Sequence, residues 1–270
     1  MDIPFLGMAF ASLGPEDAAA WIAARPAEIP FGYVVTPNAD HFVRLARDPS
    51  LVPLYESAVL RLLDSRVVAG AARLLGLHPP RVATGSDTAA ALLSRHIRPG
   101  ERIAIVGMPP TALHALVEKC GLAPPFHHNP PMGFEHDPVA FQAAIDFALA
   151  HPARLLFLAV GSPRQERLAA AIAATGHATG TGLCFGAALE FLAGTKKRAP
   201  PWMQRAGLEW LSRLLADPRG LGRRYLIDCP AVFRLIVTTS FPPILSANAR
   251  PPPAGPRSRP PAFARGAERD

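Results

Sequence analysis

Cysteine is scarce in this chain of 270 residues. Cys120, Cys184 and Cys229 lie far apart and none belongs to a CxxC pair. That excludes a zinc ribbon, a thioredoxin-like centre and a disulfide scaffold, and it fits a reducing compartment. Long apolar runs are missing too. No stretch approaches the roughly 18–20 uncharged apolar residues of a membrane-spanning helix. Met1-Asp2-Ile3-Pro4 carries an acid where a secretory leader carries positive charge, so a cytoplasmic location is expected. The chain has no P-loop, no HExxH and no GxSxG. Its nearest glycine cluster, Gly180-Thr181-Gly182 with Gly186, has the wrong spacing for a dinucleotide fingerprint. His127-His128 has no carboxylate at metal-ligand spacing, so no metal site and no cofactor are expected.

What is present is apolar and unevenly charged. Hydrophobic residues make up 49% and charged residues 18%, ample for a packed core. The net charge of +7 belongs to the C-terminal quarter. From Lys196 onward there are 14 basic and 5 acidic residues, whereas residues 1–195 hold 14 basic and 16 acidic. Such a patch suits nucleic acid, anionic lipid or a phosphorylated ligand. The region offers few aromatics for base stacking, and Trp202 and Trp210 read as packing anchors, which argues against nucleic acid. Eight of the residues from 241 to 261 are proline, and an Arg-rich end follows. Residues 241–270 therefore read as a disordered tail.

Short β-prone runs alternate with longer amphipathic segments in residues 1–195. The runs are Tyr33-Val34-Val35, residues 59–63, residues 102–106 and residues 155–160; segments 137–150 and 165–175 supply helices. This alternation predicts an α/β body built on a parallel sheet. Residues 196–240 read as a basic helical appendage, with short helices over 201–206, 208–216 and 219–227 and an apolar stretch at 231–237. Ligands of parallel sheets lie beyond the carboxyl ends of the strands, which directs attention to the segments just after each run.

Four such segments stand out. In Thr36-Pro37-Asn38, Thr36 suits a helix cap with Pro37 at the first helical position. Asn38 would then sit among free backbone N–H groups that attract anions; a plain cap is the alternative. Asp64 ends the second run, as a general base for a hydroxyl nucleophile or as a cap for the helix after it. In Arg81-Val82-Ala83-Thr84-Gly85-Ser86-Asp87, Ser86 reads as an N-cap, and Arg81 either pairs with phosphate or is simply exposed. In Gly161-Ser162-Pro163-Arg164-Gln165-Glu166, Ser162 and Gln165 read as a capping box that leaves Gln165 or Arg164 near a ligand. No DxD-like acid pair follows a strand, so a diphosphate here would be neutralised by basic side chains and helix N-termini.

Together these segments resemble the WecG/TagA/CpsF family, bacterial glycosyltransferases of family 26. The most specific stretch is Gly161 to Glu166. Residues 186–194, Lys197-Arg198-Ala199-Pro200-Pro201-Trp202-Met203-Gln204, Gly207-Leu208-Glu209-Trp210-Leu211 and Arg223-Arg224-Tyr225-Leu226 follow in order. Thr36-Pro37-Asn38-Ala39-Asp40-His41 and Arg73-Leu74-Leu75-Gly76 agree. The resemblance implies a Rossmann-like body with a C-terminal helical appendage. It also implies inverting, metal-independent transfer of a sugar, of N-acetylmannosamine type or a related hexose, from a UDP-sugar to a polyprenyl-diphosphate-linked saccharide. The expected setting is the cytoplasmic face of an anionic membrane, in cell-envelope or exopolysaccharide synthesis. By resemblance Asp64 is the base, while Thr36, Asn38, Arg81 and Gln165 bind substrate, with Arg213, Arg219, Arg223 and Arg224 of the appendage as further candidates. The family usually reads Pro-Asp-Gly around the base, and this chain reads Leu63-Asp64-Ser65. That departure supports an alternative, a nucleotide-binding paralogue without turnover.

Overall fold

Six short strands alternate with helices in a computed structural model of the protein, which describes residues 2–196, 199–200, 203 and 229–240. A hairpin comes first, β1 (Asp2–Phe5) and β2 (Met8–Ala11), followed by α1 (Pro15–Ala23). The main sheet then takes β3 (Gly32–Val35), β4 (Leu60–Arg61), β5 (Ala104–Gly107), β6 (Phe126–His128), β7 (Leu155–Ala159) and β8 (Thr181–Cys184). All of its pairings are parallel, in the order β4-β3-β8-β7-β5-β6. The helices between them are α2 (Ala39–Arg47), α3 (Val52–Glu56), α4 (Arg66–Leu74), α5 (Gly85–Arg95), α6 (Pro110–Cys120), α7 (Pro138–Ala150), α8 (Arg164–Ala174) and α9 (Ala188–Ala193). This is the expected α/β, Rossmann-like body.

Both faces of the sheet are covered, which is why its strands read as continuous apolar runs rather than as alternating ones. Period-two alternation divides the residues between two cores. Tyr33, Val35, Val106, Leu156 and Leu158 meet α2, α4, α7 and α8, while Val34, Ile105, Leu155, Phe157 and Leu183 meet α1, α5, α6 and α9. The helix Cys229–Ser240, which takes in the apolar stretch at 231–237, packs against α2 and α4. Its Val232 and Ile236 are buried in the first of these cores. The short helices expected over 208–216 and 219–227 and the tail at 241–270 lie outside the described residues, as does 201–206 apart from Met203.

The run at 59–63 pairs less than its apolar character suggests. Only Leu60–Arg61 forms a strand, and Leu63 continues through one parallel bridge to Val82. This is the sheet edge, and Arg61 closes it. Its guanidinium donates to the carbonyls of Ala9, Tyr55, Glu56 and Ala58 at 2.6 to 3.2 Å. At the opposite end of the strands the buried Arg154 binds Glu101 twice at 2.7 Å and donates to the carbonyls of Ala23 and His96. Burial disfavours the charge on Glu101, but the Arg154 bonds and the Arg98 amide outweigh it and lower its pKa.

The connectivity places the cleft. β3 leads outward to β4 on one side, β5 leads outward to β6 on the other, and β8 and β7 fill the space between. Ligand crevices form beyond the carboxyl ends at such a reversal. The segments that meet there are the turns after β3, β4, β5, β7 and β8.

Candidate active site

The turn after β3 holds Thr36, Pro37 and Asn38. Helix α2 starts two residues later than expected, because Asn38 rather than Thr36 is its cap. Asn38 keeps extended backbone at φ −119°, and its Oδ1 accepts the Asp40 amide at 3.1 Å. His41 Nδ1 lies 2.7 Å from the same oxygen. Thr36, released from capping, is 7% exposed and faces the start of α5. A Cβ on Gly85 would stand 3.2 Å from Thr36 Oγ1, tighter than an ordinary contact, so glycine eases the approach of Thr36; Phe185 Cα, at 3.5 Å, would be in ordinary contact.

Asp64 ties three segments together. Its amide donates to Pro37 O at 2.9 Å, and its Oδ2 accepts the Gly85 amide at 3.0 Å. The carboxylate therefore faces the positive end of α5 and does not cap the helix that follows it. Ser65 does that, accepting the Val68 amide at 3.1 Å. Ser65 lies at φ −155°, extended backbone that makes no demand for glycine. The cap of α5 is Thr84, whose Oγ1 accepts the Asp87 amide at 3.1 Å, so Ser86 sits inside the helix.

After β7, no capping box forms between Ser162 and Gln165. Ser162 Oγ lies outside α8 and accepts from Arg44 Nη1 at 2.8 Å. The Gln165 carboxamide reaches across to β8. Nε2 donates to Cys184 O at 3.1 Å and to Glu166 Oε1 at 2.8 Å, while Oε1 accepts the Gly186 amide at 2.9 Å. Gln165 is 3% and Glu166 1% exposed. Burial pushes the Glu166 carboxyl up toward its neutral form, against the pull of Gln165, Ser162 and the Arg44 charge. Around Glu166 stand His41 at 3.8 Å and Arg44 from α2, the latter paired with Asp40 at 2.7 Å. Tyr55 from α3, Tyr33 from β3 and Cys184 from β8 complete the surroundings. Burial pushes the Tyr33 phenol up to about 12, and it raises the Tyr55 phenol and the Cys184 thiol as well. Among the described residues no group of three or more His, Cys, Asp and Glu side chains is placed to hold a metal ion.

A model of the glycosyl transferase WecG/TagA/CpsF family matches residues 3–243. The chain belongs to this family. The resemblance read from its motifs is thereby confirmed at the level of fold and of glycosyl transfer.

The structure brings some of the family-matched residues together and not others. Thr36, Asn38, Asp64 and Gln165 stand at the carboxyl ends of β3, β4 and β7, with β8 between β3 and β7. The Arg81 guanidinium lies on α1, bonded to Asp17 at 2.8 Å, with its side chain 64% exposed. Arg213, Arg219, Arg223 and Arg224 lie outside the described residues. The sequence reading passed over Glu166, His41, Arg44 and Gly85. Glu166 has the sequence signature of a surface acid in a first helical turn, and the packing of α2, α3, β3 and β8 around it buries it. Gly85 carried a usable signal, since a glycine opening a helix allows close backbone approach.

Proposed function

We propose that the protein is an inverting, metal-independent glycosyltransferase that moves a hexose, of N-acetylmannosamine type or a related kind, from a UDP-sugar to a polyprenyl-diphosphate-linked saccharide. The observation that carries this reading is the Asp64 carboxylate, fixed at the end of β4 by the Gly85 amide and flanked by the turn after β3. In the proposed step the acceptor hydroxyl attacks the anomeric carbon and Asp64 takes its proton. The new C–O bond forms as the bond from that carbon to the UDP oxygen breaks, and the electron pair leaves with UDP. General-base assistance of this kind contributes roughly 10²–10⁴-fold.

The leaving diphosphate gains charge, which the α5 N-terminus and basic side chains offset. Arg81, Arg213, Arg219, Arg223 and Arg224 are the proposed cations, Thr36 and Asn38 are the proposed substrate contacts, and the buried Gln165 stands behind them. The excess of basic residues beyond Lys196 suits both the diphosphate-linked acceptor and an anionic membrane surface on the cytoplasmic side. No helix among the described residues is long and apolar enough to cross a membrane, which is compatible with a peripheral association. Polysaccharide synthesis at the cell envelope is the proposed setting.

The test is Asp64→Asn assayed for acceptor-dependent UDP release, beside UDP binding by calorimetry. Loss of transfer with binding kept supports the assignment. Full transfer by the variant removes Asp64 from the role.

A further inference from the structure

The Gln165 carboxamide is spent inside the protein. Backbone groups fix which way round it lies, since the Gly186 N–H needs an oxygen and the Cys184 carbonyl needs a donor. Both Nε2 protons are used, one on Cys184 O and one on Glu166 Oε1, and Oε1 already holds Gly186. The carboxamide thus grips the residue before Phe185 and the residue after it. Phe185 in turn lies against Gly85, where an added Cβ would meet both its Cα and its Cβ at 3.5 Å. Gly85 donates the amide that holds Asp64.

We infer that Gln165 and Glu166 act as one positioning unit: the buried pair brackets Phe185, and Phe185 seats the first turn of α5, whose Gly85 amide sets the Asp64 carboxylate. Glu166 supplies the inner end of the unit. Its Oε1 takes the second amide proton of Gln165, and its Oε2 has no hydrogen-bond partner among the described residues. A buried carboxyl with one idle oxygen is costly to keep unless its other oxygen does something the fold needs. The raised Glu166 carboxyl agrees, because a neutral acid accepts from Gln165 without placing a bare charge in the core. On this account Gln165 reaches the reaction through Phe185 and Gly85 rather than by touching the ligand. The inference rests on the reading of Asp64 as the base.

The experiment uses the full chain with Glu166→Leu, Glu166→Gln and Gln165→Ala. Hydrogen exchange of the Gln165 side-chain amide and the Gly186 backbone amide is followed by NMR, and transfer kinetics are measured in parallel. Both amides are expected to exchange slowly in the wild type and in Glu166→Gln, and fast in Glu166→Leu. Glu166→Leu and Gln165→Ala should each lower kcat about tenfold, the value of one buried hydrogen bond, with donor KM kept within about threefold. Glu166→Gln should recover kcat, since it retains an oxygen for Gln165. A Gln165 amide that exchanges at the solvent rate in the wild type overturns the bracket, whatever the assay shows. So does a rise in donor KM at unchanged kcat in Gln165→Ala, which marks direct ligand contact. If Glu166→Leu fails to fold, Gln165→Ala and the wild-type exchange rates decide. If the wild type transfers nothing from any donor, the proposed function fails, and the exchange rates still decide the bracket.

Discussion

Asp64 and Gly85 are joined by a 3.0 Å hydrogen bond that fastens the end of β4 to the first turn of α5. One residue is the proposed base and the other has no side chain to place. The absence of that side chain lets Thr36 come close to the same point, where Phe185 is also in contact. Stability and activity should therefore part company at position 85.

Gly85→Ala is expected to leave the melting temperature nearly unchanged or slightly higher, because alanine is favoured over glycine in a helix by up to about 1 kcal/mol. Transfer should fall by about tenfold, since the Thr36 side chain must yield to a Cβ 3.2 Å from its Oγ1. Thermal melts beside transfer rates check this. Unchanged transfer would remove the contact between Thr36 and Gly85 from the site.

Ser65→Gly creates the Asp-Gly pair that the family resemblance implies at this position. Ser65 caps α4 from extended backbone, so the glycine relieves nothing. Ser65→Ala should cost about 1 kcal/mol and Ser65→Gly only a few tenths, and neither should raise kcat. Denaturant unfolding gives the stabilities. A marked gain in turnover with Ser65→Gly would show that the departure at this position weakens the enzyme.

Arg81 donates to Asp17 at an exposed pair, so Arg81→Ala should change stability by less than about 1 kcal/mol. If its guanidinium serves the diphosphate, Arg81→Ala weakens UDP binding by about fivefold or more, while Asp17→Asn does not. Calorimetry with UDP separates the two. Equal effects of both substitutions would assign the arginine to α1 alone.

Glu101 has a lowered pKa in the fold, so it binds fewer protons there than in the unfolded chain. Its contribution is fully present above its unfolded pKa, about 4, and is lost as pH falls through the lower folded value. Unfolding free energy measured against pH should drop in that acid window in the wild type and drop less in Glu101→Gln. Arg154→Met, which strands the carboxylate, should cost about 3 kcal/mol near neutrality.

The sheet was legible because both of its faces are buried, so β5 and β7 read as apolar runs of strand length. The hairpin β1–β2 was not. Leu6 and Gly7 form its two-residue turn at φ 48° and 82°, and leucine gives no warning of a positive φ. The edge strand was overestimated because Leu62 and Leu63 stay buried beyond the two residues that pair as a strand, held by single hydrogen bonds and one bridge, while Val59 at the start of the run is exposed. Asp64 could be picked out as a strand-end acid, but its cap-or-base ambiguity needed Ser65 and Gly85 in place to resolve. Glu166 was hidden for a different reason. A glutamate in a first helical turn satisfies the helix dipole at the surface, and nothing local shows that β8 and α2 will cover it.

The most direct test of the account is UDP release by the purified full chain in EDTA, across a panel of UDP-sugars, with and without a short-chain polyprenyl-diphosphate-linked acceptor. The account predicts release that depends on the acceptor, persists in EDTA and disappears in Asp64→Asn. UDP binding without release from any donor in the panel would contradict it and identify a nucleotide-binding member of the family that does not turn over.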